Sequence, residues 1–134
     1  MTRSEFERHS EVVYDAWNRQ DVEAVVQCYT EDLVYRDPNT RGAVEGRDAM
    51  RRYLTSLFSR WQMHWATRDF FLFGEADGVA VLWRATLQPK DSEREVEVDG
   101  MDLVLMEGDK VKRNEVYFDR AALAELFAGG AAAA

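Results

Sequence analysis

Two carboxylates stand where their surroundings can set their chemistry. Asp102 lies in the run Val98-Asp99-Gly100-Met101-Asp102-Leu103-Val104-Leu105-Met106. Strand alternation puts it on one face with Val98, Val104 and Met106. A carboxyl on an apolar face without a cation has a raised pKa, the property of a group that handles protons near neutrality. Asp37 ends the alternation Leu33-Val34-Tyr35-Arg36 directly before Pro38. An aspartate there either contacts a ligand or forms an Asx turn. His64 has the side chain best suited to proton transfer near pH 7. The residues around it do not alternate cleanly, so its facing stays open between a site and a hydrogen-bonded interior or interface position. Strand parity turns either Arg84 or Trp83 inward, and Arg84 is the favoured one. An inward Arg84 beside Asp102 would lower the carboxyl pKa and keep it ionised. The other reading is an exposed arginine with Trp83 in the core.

Helices and strands must bring these groups together. Ser4-x-x-Glu7 has the form of a capping box, so a helix is expected to start there, with Phe6, His9, Val13, Ala16 and Trp17 at helical spacing. Asp21 caps a second helix with the stripe Val22, Val25, Val26 and Tyr29, and Cys28 reads as a small hydrophobe on it. A short strand over Leu33–Asp37 stops at Pro38, and the polar loop Asn39–Gly42 follows. Met50, Tyr53, Leu54, Leu57, Phe58 and Trp61 mark a third helix. Strands are expected over Met63–Phe73, Val79–Leu87, Glu95–Met106 and Val111–Phe118, with Gly108-Asp109 as a tight hairpin. Asp119 caps a last helix holding Leu123, Leu126 and Phe127. Gly129-Gly130 ends it, and residues 129–134 read as a disordered tail behind a single domain over 1–128.

Strands joined by short turns are antiparallel, and helices segregated from strands mean an α+β fold. Both faces of the Glu95–Met106 strand are apolar, since Met101, Leu103 and Leu105 oppose Val98, Val104 and Met106. Helices can cover one face only, so a homodimer through the sheet is expected. Asn114, Val116 and Phe118 share one face of the last strand. Trp17, Tyr53, Phe58 and Trp61 are candidates for apolar pocket walls, with plain core packing as the alternative.

The chain has 134 residues, a size that suits one domain. Its hydrophobic fraction of 46% is too high for disorder. A formal net charge of −8 argues against nucleic acid and against anionic membrane surfaces. The apolar run Val79–Trp83 falls far short of the ~20 residues that span a bilayer. A charged helix starts almost at Met1, so no signal peptide is expected. One cysteine excludes an internal disulfide, no Cys/His set has zinc spacing, and no Gly-rich phosphate loop suggests a cofactor. A cytoplasmic protein with a small hydrophobic partner is the expectation.

The segments Asp21 to Asp32, Tyr35-Arg36-Asp37-Pro38, Glu45-Gly46-Arg47-Asp48-Ala49-Met50, Gly108-Asp109-Lys110-Val111 and Tyr117-Phe118-Asp119 resemble the SnoaL-like, nuclear-transport-factor-2-like superfamily. That group includes polyketide cyclases, ketosteroid isomerases, limonene epoxide hydrolases and scytalone dehydratases. The resemblance implies a cone-shaped, curved antiparallel sheet packed on N-terminal helices, with a central pocket. In the isomerase pattern Asp37 matches the base and Asp102 the protonated acid of the oxyanion hole. The oxyanion tyrosine falls on Val13. Tyr14 is one residue along, about a 100° turn on a helix, and is a possible helper. Arg84 matches the arginine of the epoxide hydrolases, but Thr86 and Val116 replace their two aspartates. His64 corresponds to a dehydratase histidine, without the second histidine of that pattern. Asn114 would orient a carbonyl or hydroxyl. Together these imply cofactor-independent isomerisation, cyclisation or dehydration, or else a non-catalytic binding or dimerisation domain.

Overall fold

The computed structural model describes residues 1–126. The expectations for Phe127 and for residues 129–134 lie outside the described residues. Helix α1 spans Arg3–Asn18 and is capped by Thr2, not Ser4. The Thr2 hydroxyl accepts from the Glu5 amide at 3.1 Å, and the Glu5 carboxylate accepts from the Thr2 amide at 3.3 Å. The same hydroxyl-x-x-Glu pattern thus works two residues earlier. Phe6, Ala16 and Trp17 bury the inner stripe of α1.

Helix α2, Val22–Val26, is capped by Asp21 and stops short of Tyr29. Cys28 therefore sits in the turn, where its thiol donates to the Ala24 carbonyl at 3.3 Å. Tyr29 opens strand β1, Tyr29–Arg36, which is longer than expected. A two-residue strand β2, Val44–Glu45, pairs with it beyond the Asn39–Gly42 loop. It is too short to leave a period in the sequence. Helix α3, Arg47–Arg60, buries Met50, Leu54, Leu57 and Phe58. Trp61 continues its apolar spacing but adopts extended geometry and begins β3, Trp61–Leu72.

Strands β4, Gly78–Pro89, β5, Val96–Glu107, and β6, Lys110–Tyr117, complete a six-stranded sheet in the order β2-β1-β6-β5-β4-β3. The pairs from β3 to β6 are antiparallel, as short turns require. β1 joins β6 in parallel, which only the long intervening chain permits. A short 3₁₀ turn over Arg120–Leu123, capped by Asp119, follows β6 and leads into α-helical residues 124–126, where the last helix was expected. The curved, unclosed sheet wraps its concave face around the helices and the apolar core. On β4 the inward set is Val79, Val81, Trp83, Ala85 and Leu87, all buried.

Gly100 of β5 pairs in register with Trp83 of β4. A Cβ at Gly100 would come within 2.5 Å of the Trp83 ring and 2.6 Å of the Tyr117 carbonyl oxygen. The missing side chain thus makes room for the indole to lie across β5. Gly100→Ala should cost about 1–3 kcal/mol through overpacking. Urea denaturation measures that loss, and the near-ultraviolet tryptophan signal should change with it.

Candidate functional site

The Asp102 carboxyl occupies the concave face, and its residual accessibility is toward the cavity that it lines. The Trp83 indole Nε1–H donates to Oδ1 at 2.7 Å, and Asn114 Nδ2 donates to Oδ2 at 3.2 Å. Asn114 is itself oriented, since its Oδ1 accepts from the Tyr29 hydroxyl at 2.8 Å and its Nδ2 also reaches the Leu103 carbonyl at 3.2 Å. All of these donors are neutral. Burial pushes the Asp102 pKa up to about 7, and the Asp37 charge adds to this. The two hydrogen bonds pull the other way without overcoming burial. Burial, and then the Asp102 charge, raise the phenols of Tyr14 and Tyr29 above their ordinary value. Both therefore remain protonated donors at neutral pH.

Asp37 is held in a different way. Its Oδ1 accepts from the amides of Asn39 at 2.7 Å and Thr40 at 3.1 Å. That is the Asx turn which an aspartate before proline can make. Its Oδ2 accepts from the Tyr35 hydroxyl at 2.8 Å and from the Tyr53 hydroxyl. Burial and then the Asp37 charge raise the pKa of both tyrosines.

The interior space has two chambers. The first holds Asp102, Asn114, Tyr14, Tyr29 and Trp83, and has a volume of about 60 Å³. The second holds Asp37, Trp61, Leu87 and Phe118, and has a volume of about 30 Å³. Trp17, Tyr35, Trp65 and Val116 border both and form the wall between them. Against the ~300–1,000 Å³ of ordinary ligand pockets these spaces are small. They fit a compact molecule, or a larger one if the wall shifts. Among the described residues, no three His, Cys, Asp or Glu side chains converge as metal ligands would. None of the described helices is long and apolar enough to cross a membrane.

The structure corrects two placements. Arg84 points to the outer face and pairs with Asp99 at 2.8 and 3.2 Å, with Glu97 at 3.5 Å. Trp83 takes the inward position, so among the described residues Asp102 has no cationic partner. His64 is exposed on the same outer face, opposite Thr86. A β-bulge between Thr67 and Asp69 breaks the β3 alternation and explains why the sequence left His64 undecided. Asn114, Val116 and Phe118 face inward together, and Trp17 and Trp61 line the chambers. Phe58 lies behind Trp17 in the core, at 5.7 Å between ring centroids. Tyr53 meets the site through Asp37. Val13 and Tyr14 both border the first chamber, so the residue offset does not carry Tyr14 away.

Sequence reasoning missed Tyr29, Tyr35 and Trp65. Tyr35 shares strand parity with buried Leu33, and Trp65 shares it with buried Met63. That parity was the available signal for both. Tyr29 was hidden by its apparent place on the α2 stripe.

The family profile described as SnoaL-like domain matches residues 11–114. The chain belongs to this family. No curated protein sequence matches it. Among solved structures, it is similar to a candidate isomerase from Bacillus subtilis, at 14% identity and a TM-score of 0.82, covering 96% of this chain and 97% of that one. It is similar to a candidate polyketide cyclase from Pseudomonas putida KT2440, at 15% identity and a TM-score of 0.75, covering 87% and 93%. It is also similar to a protein of ketosteroid isomerase-like fold from Catenulispora acidiphila, solved with trimethylamine, at 14% identity and a TM-score of 0.74, covering 83% and 85%. At these identities the likeness is one of fold.

The raised Asp102 pKa has a stability signature. The folded chain holds this proton up to about pH 7, while the unfolded chain releases it near the ordinary value of 3.8. Stability from this group therefore falls as pH rises through that window and is level above it. Between pH 5 and 8 the loss should be roughly 2–3 kcal/mol. Asp102→Asn should remove that pH dependence in urea denaturation curves.

Proposed function

We propose that this SnoaL-like domain binds a small, largely apolar, oxygenated molecule and moves a proton on it without a cofactor. The carrying observation is the Asp102 carboxyl, buried with neutral donors only and no cation. At neutral pH a large share of it is protonated. It then donates a hydrogen bond to a ligand oxygen, such as the carbonyl oxygen of a ketone, as negative charge develops there. Asp37 is the base. It takes a proton from the carbon next to the carbonyl, the C–H electron pair becomes the enol double bond, and the Asp102 side carries the oxygen charge. Return of the proton to the same or another carbon gives exchange or isomerisation. Tyr14 and Asn114 assist at the oxygen, and Trp17, Trp61 and Phe118 supply apolar walls. The candidate isomerase and cyclase among the structural neighbours agree with this reading.

One observation favours a second reading, a non-catalytic binding domain. Asp37 already accepts four hydrogen bonds, and the two tyrosine hydroxyls must yield before it can take a proton. Proton exchange separates the two. In D₂O at pH 7, the protein should speed loss of the α-proton signal of cyclohexanone or 2-cyclohexenone. Asp37→Asn and Asp102→Asn should each slow this by about 100-fold or more. Exchange no faster than in buffer alone leaves the binding reading.

A homodimer through the outer sheet face belongs to the same proposal. Phe71, Ala80 and Leu103 stand in register across β3, β4 and β5, next to Leu82, Met101 and Tyr117. Phe71, Met101 and Tyr117 are exposed, and a second copy of the same face is a self-complementary cover. The single Cys28 thiol suits a reducing, cytoplasmic setting. Light scattering at micromolar concentration should give twice the 15.5 kDa chain mass. Met101→Arg together with Tyr117→Arg should return the monomer.

A further inference from the structure

Trp65 contains a donor without an acceptor. Its Nε1 is buried, and no described residue accepts its hydrogen. An indole N–H can only donate, so what it lacks is an acceptor atom. The ring borders both chambers. It cannot easily turn to find a partner elsewhere. Its edge-to-face contact with Trp83 has ring centroids 4.7 Å apart, and that with Trp17 has them 6.2 Å apart. Its backbone is pinned as well. The Trp65 amide donates to Asn18 Oδ1 at 2.8 Å, and its carbonyl accepts from Asn18 Nδ2 at 3.1 Å. One side chain at the end of α1 thus fixes the strand position from which the indole projects.

The contrast with Trp83 is informative. The two indoles touch, yet Trp83 spends its N–H on Asp102 and Trp65 spends its own on nothing among the described residues. Buried polar groups are nearly always paired, and those that are not commonly mark a functional position. The ring stands at the wall between two chambers, so an occupant of either can supply the acceptor that the Nε1–H lacks.

We propose that Trp65 Nε1–H is a ligand-binding donor that sets the specificity of the cavity. It selects a molecule carrying an acceptor oxygen (a carbonyl or ether) at the chamber wall, and disfavours a hydrocarbon of the same shape. A cationic or donor-only group finds no partner at this point. The inference rests on the reading of the cavity as a small-molecule site, and adds to it the residue that reads the ligand oxygen independently of Asp102.

The test uses the full chain, ¹⁵N-labelled, with cyclohexanone as probe and methylenecyclohexane as its acceptor-free shape match. The chain has four tryptophans, and the indole resonance missing in Trp65→Phe identifies Trp65. Cyclohexanone should move that proton downfield, and the hydrocarbon should not. Trp65→Phe should weaken ketone binding about three- to tenfold, the scale of one hydrogen bond, and leave hydrocarbon binding within about twofold. Equal weakening for both probes would overturn the proposal, because that is what lost packing alone predicts. A shift of the Trp83 resonance without one at Trp65 would also overturn it while leaving the cavity reading intact. If neither probe moves any indole resonance, the cavity reading falls and the Trp65 role with it. Should Trp65→Phe not fold, the wild-type resonance is assigned through contacts to the Trp65 ring, and the difference between the two probes decides.

Discussion

A carboxyl group kept from water with only neutral partners is the constraint on which the rest of the interior depends. Asp102 needs donors, and a guanidinium would hold it ionised. The sheet meets both conditions through alternation. The inward parity of β4 delivers Trp83, whose indole reaches Asp102. The outward parity delivers Arg84 to Asp99. Gly100, across from Trp83, leaves the space that lets the ring lie over β5. Cation, indole, glycine and acid are thus four consequences of one strand register.

The two carboxylates of the site are treated in opposite ways. Asp37 is saturated, with amides on one oxygen and tyrosine hydroxyls on the other. Asp102 has fewer bonds and a drier place, and burial pushes its pKa up to about 7. Two groups of the same chemical type in such different surroundings are the arrangement from which acid and base roles are made. Tyr35 links them in space, since it bonds Asp37 and also faces the chamber of Asp102.

Much of this was legible in the residues. The α3 stripe, the apolar face of Asp102 and the shared face of Asn114, Val116 and Phe118 follow from period, the Gly108 turn follows from its residue types, and the inward direction of the Asn114 face came from the family resemblance. The choice between Arg84 and Trp83 was harder because either parity places a large residue inside. The longer run settles it: Val79, Val81, Trp83, Ala85 and Leu87 form an unbroken apolar set, while the other parity contains Arg84, Thr86 and Gln88. The facing of His64 was hidden by the bulge near Arg68, since one extra residue resets the period. The Tyr35 and Tyr53 bonds to Asp37 were not legible, because they join a turn to a strand and to a helix and leave no periodic trace. The parallel pairing of β1 with β6 was equally silent, as no local turn encodes it.

That parallel pairing also bears on how the chain reaches its shape. Tyr29 of β1 meets Val111 of β6, so an early strand must wait for a late one. The hairpins from β3 to β6 can form from neighbouring residues, whereas the β1 seam, pairing Tyr29 with Val111, closes a loop of more than half the chain. Contacts of such separation slow folding, because chain entropy is lost before they reward it. The Tyr29 hydroxyl that orients Asn114 arrives only with that seam. The chemical centre is therefore completed by the closure of greatest sequence separation in the sheet, and it depends on β6 for Asn114.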